Sequence, residues 1–261
     1  MKELSWKDPD IRHELARLKA LKPFCYGLTN YVAANLSANV LLAVGAGPAI
    51  GTAMDWPAVF GRHAHAVWIN AASLMSCGPE DIRLAARSAH EAGVPWVLDP
   101  VAVGAGAPAY DAVVKSLLEF RPTAIRGNAS ELIALAGGQG GGQGVETTMT
   151  SDQAVPFLEN VAASIGTVAA VSGPVDYITD GRVTYAVGGG DVRLTQVTGA
   201  GCSLGALMAA MLAGAQDRMM AVAAAHAVYA EAAERAQPAV GTGSFAVAFL
   251  DQLSLLNPLE E

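Results

Sequence analysis

Charge is scarce in this chain. Asp, Glu, Lys and Arg together make up 15% of its 261 residues, below the usual quarter. Basic residues are the rarer sign, 16 Lys and Arg against 24 Asp and Glu, for a formal net charge of −8. Such a balance argues against nucleic acid or an acidic membrane as the main partner. Cysteine is also sparse. Cys25, Cys77 and Cys202 stand at unrelated spacings and form neither a disulfide framework nor a zinc pattern. No apolar run reaches the length of a membrane span, because glycines and polar residues interrupt each candidate. The first 21 residues carry Lys2, Glu3, Lys7, Asp8, Asp10 and Arg12, so they do not read as a signal peptide. Neither a repeat of fixed period nor a dividing linker is present. The expectation is a soluble cytoplasmic protein folded as one domain over residues 1–261.

What the chain does have is apolar residues, 52% of the total. Either its helices are buried on several sides or neighbouring subunits cover apolar surface. The pattern predicts helices over 8–21, from Thr29 or Asn30 to about Val44, over Pro79–Ala92, Asp111–Phe120, Asn128–Ala136 and Thr150–Ile165. Three more close the chain: Ser203–Ala213, Met219–Ala236 and Gly243–Leu256. Strands are expected at Phe24–Leu28, Ala66–Asn70, Val94–Leu98, Thr123–Ile125 and Thr167–Val171. A hairpin is expected to pair Val175–Thr179 with Val183–Val187 around Asp180-Gly181. Strands alternating with helices imply an α/β fold with a mainly parallel central sheet covered on both faces.

The chemistry concentrates in a few stretches. Gln196-Val197-Thr198-Gly199-Ala200-Gly201-Cys202 reads as a strand end, a glycine turn and the start of a charge-free helix. Glycines there let successive N–H groups face an anion, backed by the positive end of the helix. No Lys-Ser/Thr follows as in a P-loop, and the third glycine of a dinucleotide turn is missing. Asp99 follows a buried strand, at the end of the sheet where open α/β sheets bind ligands. Asn30, Asn35 and Asn39 interrupt an apolar segment, either as caps and loop ties or as contacts to a polar ligand. Gly45–Gly51 reads as a bent loop poor in side chains. The glycine-rich run 137–144 has no lysine and no flanking strand, and reads as a mobile surface loop rather than a phosphate cradle.

Taken in order, Leu28-Thr29-Asn30-Tyr31-Val32, Gly45–Ile50, Leu98–Ala105, Ile125-Arg126-Gly127-Asn128-Ala129-Ser130-Glu131, Val171–Tyr177 and Val197–Cys202 resemble the hydroxyethylthiazole kinase family. They span residues 28–202. The resemblance implies a ribokinase-like fold, Mg²⁺, and transfer of the ATP γ-phosphoryl group to the primary alcohol of 4-methyl-5-(2-hydroxyethyl)thiazole. It further implies a homotrimer whose substrate site is shared between subunits.

The same resemblance assigns roles. Gly199, Ala200 and Gly201 would form an anion hole for the transferring phosphoryl group. Cys202 would sit beside the reacting alcohol, either as a base whose pKa the helix N-terminus lowers or as a packing group. Asp99 and Glu131 would serve Mg²⁺, the alternatives being a cap or an ion pair. Arg126 would contact the ATP phosphates, the alternative being a salt bridge to Glu131. Ser172 would contact ATP, the alternative being a turn serine. Ile50 and Gly199, with Asn30 beside them, would line the thiazole site. The chain departs from the family pattern at Ile50 (usually Met), at Tyr26 (usually His), in Asn70-Ala71-Ala72-Ser73-Leu74 and in the long glycine run. Two rivals share the fold: a kinase of another small alcohol such as hydroxymethylpyrimidine, and a nucleotide-dependent NAD(P)H-hydrate dehydratase. The latter carries Asp where Cys202 stands.

Overall fold

The computed structural model describes residues 1–138 and 149–260. The run 139–144 within the glycine-rich stretch lies outside these residues. One sheet is built from β1 (Lys2–Leu4), β2 (Phe24–Leu28), β3 (Gly47–Ile50), β4 (Ala66–Asn70), β5 (Trp96–Asp99), β6 (Ala124–Gly127), β7 (Val168–Val171), β8 (Val175–Thr179) and β9 (Thr184–Gly188). Its order is β1-β9-β8-β7-β6-β5-β4-β2-β3. Pairing is parallel except where β8 meets β7 and β9. The helices are α1 (Pro9–Leu21), α2 (Ala34–Ala43), α3 (Trp56–His63), α4 (Pro79–Ala92), α5 (Pro108–Ser116), α6 (Ala129–Leu135), α7 (Ser151–Ile165), α8 (Ala200–Leu212), α9 (Arg218–Arg235) and α10 (Thr242–Leu255).

Period-two alternation along the strands divides the interior in two. Cys25, Ala66, Trp68, Val97, Ala124 and Ala170 turn to one face, where they meet α1, α2, α8, α9 and α10. Tyr26, Val67, Ile69, Leu98, Ile125 and Ala169 turn to the other, where they meet α3, α4, α6 and α7. Strands buried on both faces are largely apolar, and β4, β5 and β6 are so except for Asn70, Asp99 and Arg126 towards their C-terminal ends. Helix α8 packs against β2, β4 and β5 on one side and against α2 and α9 on others. Its run of Ala, Gly and Ser permits close approach on every side, and all of it from Ser203 to Leu212 is buried.

Three expectations are corrected. Gly45–Gly51 is not wholly loop, because Gly47–Ile50 pairs in parallel with β2 as the sheet's edge. Pro48 is tolerated there because an edge strand has one side free of ladder bonds. The residues before Gly199 do not end a strand; Val192–Gln196 forms a turn of 3₁₀ helix. Strand β5 runs to Asp99 itself, so the carboxylate belongs to the last residue of the strand. Helix α2 begins at Ala34, after a turn in which Asn30 Oδ1 accepts the Ala33 N–H at 2.8 Å. Asn30 therefore closes the turn that leads into α2.

Candidate active site

Asn70 and Asp99 end adjacent parallel strands and are register partners. The alternation that buries Trp68, Val97, Ala124 and Ala170 under α8 carries two residues further to Asn70, Asp99, Arg126 and Ser172, so all four share that face. They are joined by hydrogen bonds. Asn70 Nδ2 donates to Asp99 Oδ2 at 3.0 Å, and Arg126 Nη1 donates to the same oxygen at 3.2 Å. The same Arg126 nitrogen donates to the Gly201 carbonyl at 2.8 Å, while Nη2 donates to Ser172 Oγ at 2.8 Å. One guanidinium thus links β5, the turn after β7 and the start of α8. The alternative pairing of Arg126 with Glu131 is not made.

Glu131 sits in the first turn of α6. Its Oε2 accepts the Asn128 N–H at 2.8 Å while Asn128 Oδ1 accepts the Glu131 N–H at 3.0 Å, a capping box. Its Oε1 reaches the loop after β5 and accepts the Ala102 N–H at 2.9 Å. Ala102 holds φ of 64°, a conformation that costs energy in a residue with a Cβ and needs such a tether.

Burial dominates the electrostatics. Asp99 is 1% exposed and Arg126 and Glu131 6% each. Burial raises the Asp99 pKa more than Arg126 and Asn70 lower it. Burial, with the Asp99 charge beside it, pushes Glu131 up to about 7. For Arg126, burial opposes the charge, but Asp99, Glu131 and Cys202 outweigh it and the guanidinium stays protonated. Cys202 corrects an expectation: burial, then the Asp99 carboxylate, push its thiol up to about 11 rather than down. Arg126 and a hydrogen bond with Asn70 oppose the rise without cancelling it.

The glycine turn is also more selective than expected. Gly199 holds φ of 86°, and a Cβ there would lie 3.1 Å from Ala33 Cα, so any side chain would be strained against the start of α2. The Ala200 N–H already donates to the Val197 carbonyl at 3.1 Å. The anion-facing donors left to the turn are those of Gly199, Gly201 and Cys202.

Beyond Arg126 and Ser172 lies a cavity of about 600 Å³, walled by Ala200 and Gly201 at the turn and by residues such as Val187, Leu194, Leu204 and Tyr229. Asn30, Ile50 and Cys202 do not line it. Gly199 approaches Ala33 and Leu36 at the start of α2, and Ile50 ends β3, whereas Cys202 interacts with Asn70 and Asp99 at the ends of β4 and β5. Asn35 and Asn39 bond to each other on exposed helix surface and join neither side. Tyr26 turns to the opposite face of the sheet, its hydroxyl donating to the Gly51 carbonyl at 2.8 Å, directly after Ile50. Sequence reasoning missed Asn70 as a site residue, although it closes a strand beside Asp99.

Residues 15–258 match the sequence profile of the hydroxyethylthiazole kinase family. The chain belongs to that family. A curated hydroxyethylthiazole kinase from Burkholderia thailandensis is 64% identical over 260 residues, covering all of both chains. The solved hydroxyethylthiazole kinase structure from Pyrococcus horikoshii OT3 superposes with a TM-score of 0.85 at 35% identity, covering 95% of this chain and 93% of that one. An ADP/ATP-dependent NAD(P)H-hydrate dehydratase from Bacillus subtilis superposes with a TM-score of 0.63 at 14% identity, over 92% of this chain and 96% of that one. That likeness is of fold alone, the ribokinase-like α/β architecture. Family membership decides against the dehydratase reading where the fold does not.

Proposed function

We propose that the chain transfers the γ-phosphoryl group of ATP to the primary alcohol of 4-methyl-5-(2-hydroxyethyl)thiazole, releasing ADP and the thiazole phosphate. The observation that carries this reading is the Arg126 hub, which ties the acidic strand end at Asp99 to Ser172 and to the glycine turn opening α8. Phosphoryl transfer passes through a loose transition state in which charge spreads over the phosphoryl oxygens, so positioning and electrostatics supply most of the catalysis. The N–H groups of Gly199, Gly201 and Cys202 suit those oxygens. Arg126 suits the polyphosphate, and Ser172 steadies its outer nitrogen. The cavity beside them has room for the nucleoside and is largely apolar, as a base requires.

A loose transition state asks little of a base. The protonated Cys202 thiol then acts by packing beside the alcohol and donating its backbone N–H, and the alcohol proton leaves late, with the phosphate product. Gly199, Ile50 and Asn30 stand where the thiazole would bind, Asn30 by shaping the start of α2.

The donor set fits Mg²⁺. Asp99 Oδ1 is buried with no hydrogen-bond partner, and Glu131 lies near enough to raise its pKa through the Asp99 charge. Among the described residues no group of three or more His, Cys, Asp or Glu could hold a metal alone. That suits a cation which keeps waters and takes phosphate oxygens. Asp99 would hold it, with Glu131 reaching it through water. When bound, Mg²⁺ neutralises phosphate charge.

The reading extends to a homotrimer sharing the thiazole site. Tyr31, Val32, Met54 and Met75 are exposed on the segments that follow β2, β3 and β4, next to the proposed substrate side. A single sheet containing strands from Lys2 to Gly188 supports one domain. No helix among the described residues is long and apolar enough to cross a membrane; use of ATP fits the cytoplasm. The test is ADP release from Mg·ATP with hydroxyethylthiazole and hydroxymethylpyrimidine offered in parallel. Thiazole-dependent release supports the proposal, and a pyrimidine preference overturns its substrate.

A further inference from the structure

Asn70 is wholly buried at the end of β4 and reaches the Arg126 hub through Asp99. Its Oδ1 accepts the Ala72 N–H at 3.0 Å, and its Nδ2 donates to Asp99 Oδ2 at 3.0 Å. The amide cannot be turned round. A backbone N–H only donates, so the amide oxygen has to face Ala72. Asp99 Oδ2 already accepts from Arg126 Nη1, a group that only donates, and meets Asn70 as an acceptor too. An aspartate at position 70 would set one carboxylate against another, and an apolar residue would satisfy neither neighbour.

The ion pair held in this way is incomplete. A guanidinium and a carboxylate left to themselves favour two parallel bonds. Here one oxygen meets one nitrogen, at 3.2 Å. Asp99 Oδ1 and Arg126 Nε are both buried without a hydrogen-bond partner, an arrangement that costs stability. What it secures is the spread of the fork. Nη1 also donates to the Gly201 carbonyl at 2.8 Å, and Nη2 donates to Ser172 Oγ at 2.8 Å. Arg126, Ser172 and Gly201 all line the 600 Å³ cavity. A second bond to Asp99 would turn the rigid, planar fork toward the strand and away from those two contacts.

We propose that Asn70 is a positioning residue that keeps this ion pair open. By holding Asp99 Oδ2 it stops the carboxylate from rotating onto the guanidinium with both oxygens, so Arg126 stays spread across Gly201 and Ser172 on the cavity wall. The proposal rests on the phosphoryl-transfer reading above, which puts the polyphosphate at Arg126. Asn70 touches no substrate and acts through Asp99 alone. Without its donor, Asp99 turns, the guanidinium follows, and the anion site loses its alignment. The apolar part of the cavity, walled by Val187, Leu194 and Leu204, stays as it is.

The experiment is calorimetric binding of adenosine and of ADP to the full chain in EDTA, where no divalent cation contributes, followed by thiazole-dependent turnover with Mg·ATP. The native protein is expected to bind ADP at least about tenfold more tightly than adenosine, as a charge-assisted contact to phosphate provides. Asn70→Ser keeps an oxygen to cap Ala72, but its side chain is one bond shorter and falls short of Asp99. It should weaken ADP about tenfold and leave adenosine within about twofold. Asn70→Leu, close to Asn in shape, should do the same. Both should lower kcat while leaving KM for the thiazole unchanged. The decisive arm is the Asp99→Asn background, where no carboxylate remains to capture Arg126. Adding Asn70→Ser there should weaken ADP by less than about twofold. An unchanged ADP-to-adenosine ratio in both Asn70 variants, an equal loss of adenosine, or the full ADP loss in the Asp99→Asn background would overturn the proposal. So would failure of both Asn70 variants to reach native circular dichroism, since Asn70 would then serve the fold. A native protein that binds adenosine and ADP alike would overturn the placement of the polyphosphate, and this proposal with it. ADP-selective binding that responds to Asn70 as expected, without thiazole turnover, would overturn only the substrate reading.

Discussion

Arg126 meets Asp99 at 3.2 Å through the same nitrogen that donates to the Gly201 carbonyl at 2.8 Å. The pair is buried, so its attraction is offset by the cost of desolvating both charges. Its value lies in registration, since the contact fixes the start of α8 over the end of β5.

Removing one partner should therefore hurt more than removing both. Arg126→Met leaves Asp99 buried with only Asn70 to support it and should destabilise the chain by about 3–5 kcal/mol. Adding Asp99→Asn should recover part of that loss, because the neutral amide no longer needs a counter-charge. Urea denaturation of the native, single and double variants reads this directly. A double variant less stable than Arg126→Met would refute it.

Glu131 makes metal dependence a function of pH. Its pKa in the metal-free fold is about 7, above the ordinary 4.5, with burial and then Asp99 as causes. A group raised by folding contributes stability that is fully present below its ordinary value and is lost as pH rises through the folded one. Without Mg²⁺, Tm should accordingly fall between about pH 5 and pH 8. The cation needs the ionised carboxylate, so its stabilising effect should grow over the same interval. Glu131→Gln should flatten both trends. Equal Mg²⁺-induced Tm shifts at the two ends would exclude Glu131 from the cation site.

Cys202 is expected to matter little as a base. With its thiol pushed up to about 11, Cys202→Ala should lower kcat less than about tenfold, below the usual worth of general base catalysis. The kcat profile of the native enzyme should show no rise attributable to the thiol up to about pH 9. A loss beyond about a thousandfold in a variant of native stability would return the base role to Cys202.

Much of this was legible before the fold. The amphipathic pattern of α1, the Pro79 and Gly93 boundaries of α4 and the apolar strands β2, β4 and β7 read directly from sequence, and the hairpin announced itself through Asp180-Gly181. Edge elements did not. Lys2–Leu4 is three residues long, and Gly47-Pro48-Ala49-Ile50 has neither alternation nor β-branched density; both are strands because a neighbouring strand offers them hydrogen bonds. Helix α3 contains Pro57 and Gly61, residue types that interrupt a helical pattern in sequence. Yet Pro57 sits in the first turn, where it is tolerated, and at Gly61 a Cβ would come within 2.9 Å of Ser88 on α4. At the site, residue types pointed to Asp99, Glu131 and Arg126, whereas who bonds whom depended on strand order. Arg126 is five positions from Glu131 in sequence but pairs with Asp99 on the adjacent strand. The Cys202 shift was illegible for the same reason: local sequence shows the helix N-terminus, while burial and the Asp99 charge come from the fold.

Gly199 and Gly201 look alike in sequence but should respond differently to the same substitution. At Gly199 the backbone is left-handed and a Cβ would press on Ala33 at 3.1 Å, so Gly199→Ala strains the turn and pushes it from α2. At Gly201 a Cβ would make ordinary contact, 3.6 Å from Arg126 Nη1, without a positive φ. Gly199→Ala is expected to cost about 1–3 kcal/mol of stability. Its misaligned N–H groups should lower kcat by about a hundredfold, comparable to losing one anion-hole donor. Gly201→Ala should leave stability within about 1 kcal/mol of native. Thermal denaturation and steady-state kinetics on the two variants check the contrast. If both melted and turned over alike, the close approach of Gly199 to α2 would not be what shapes the phosphoryl site.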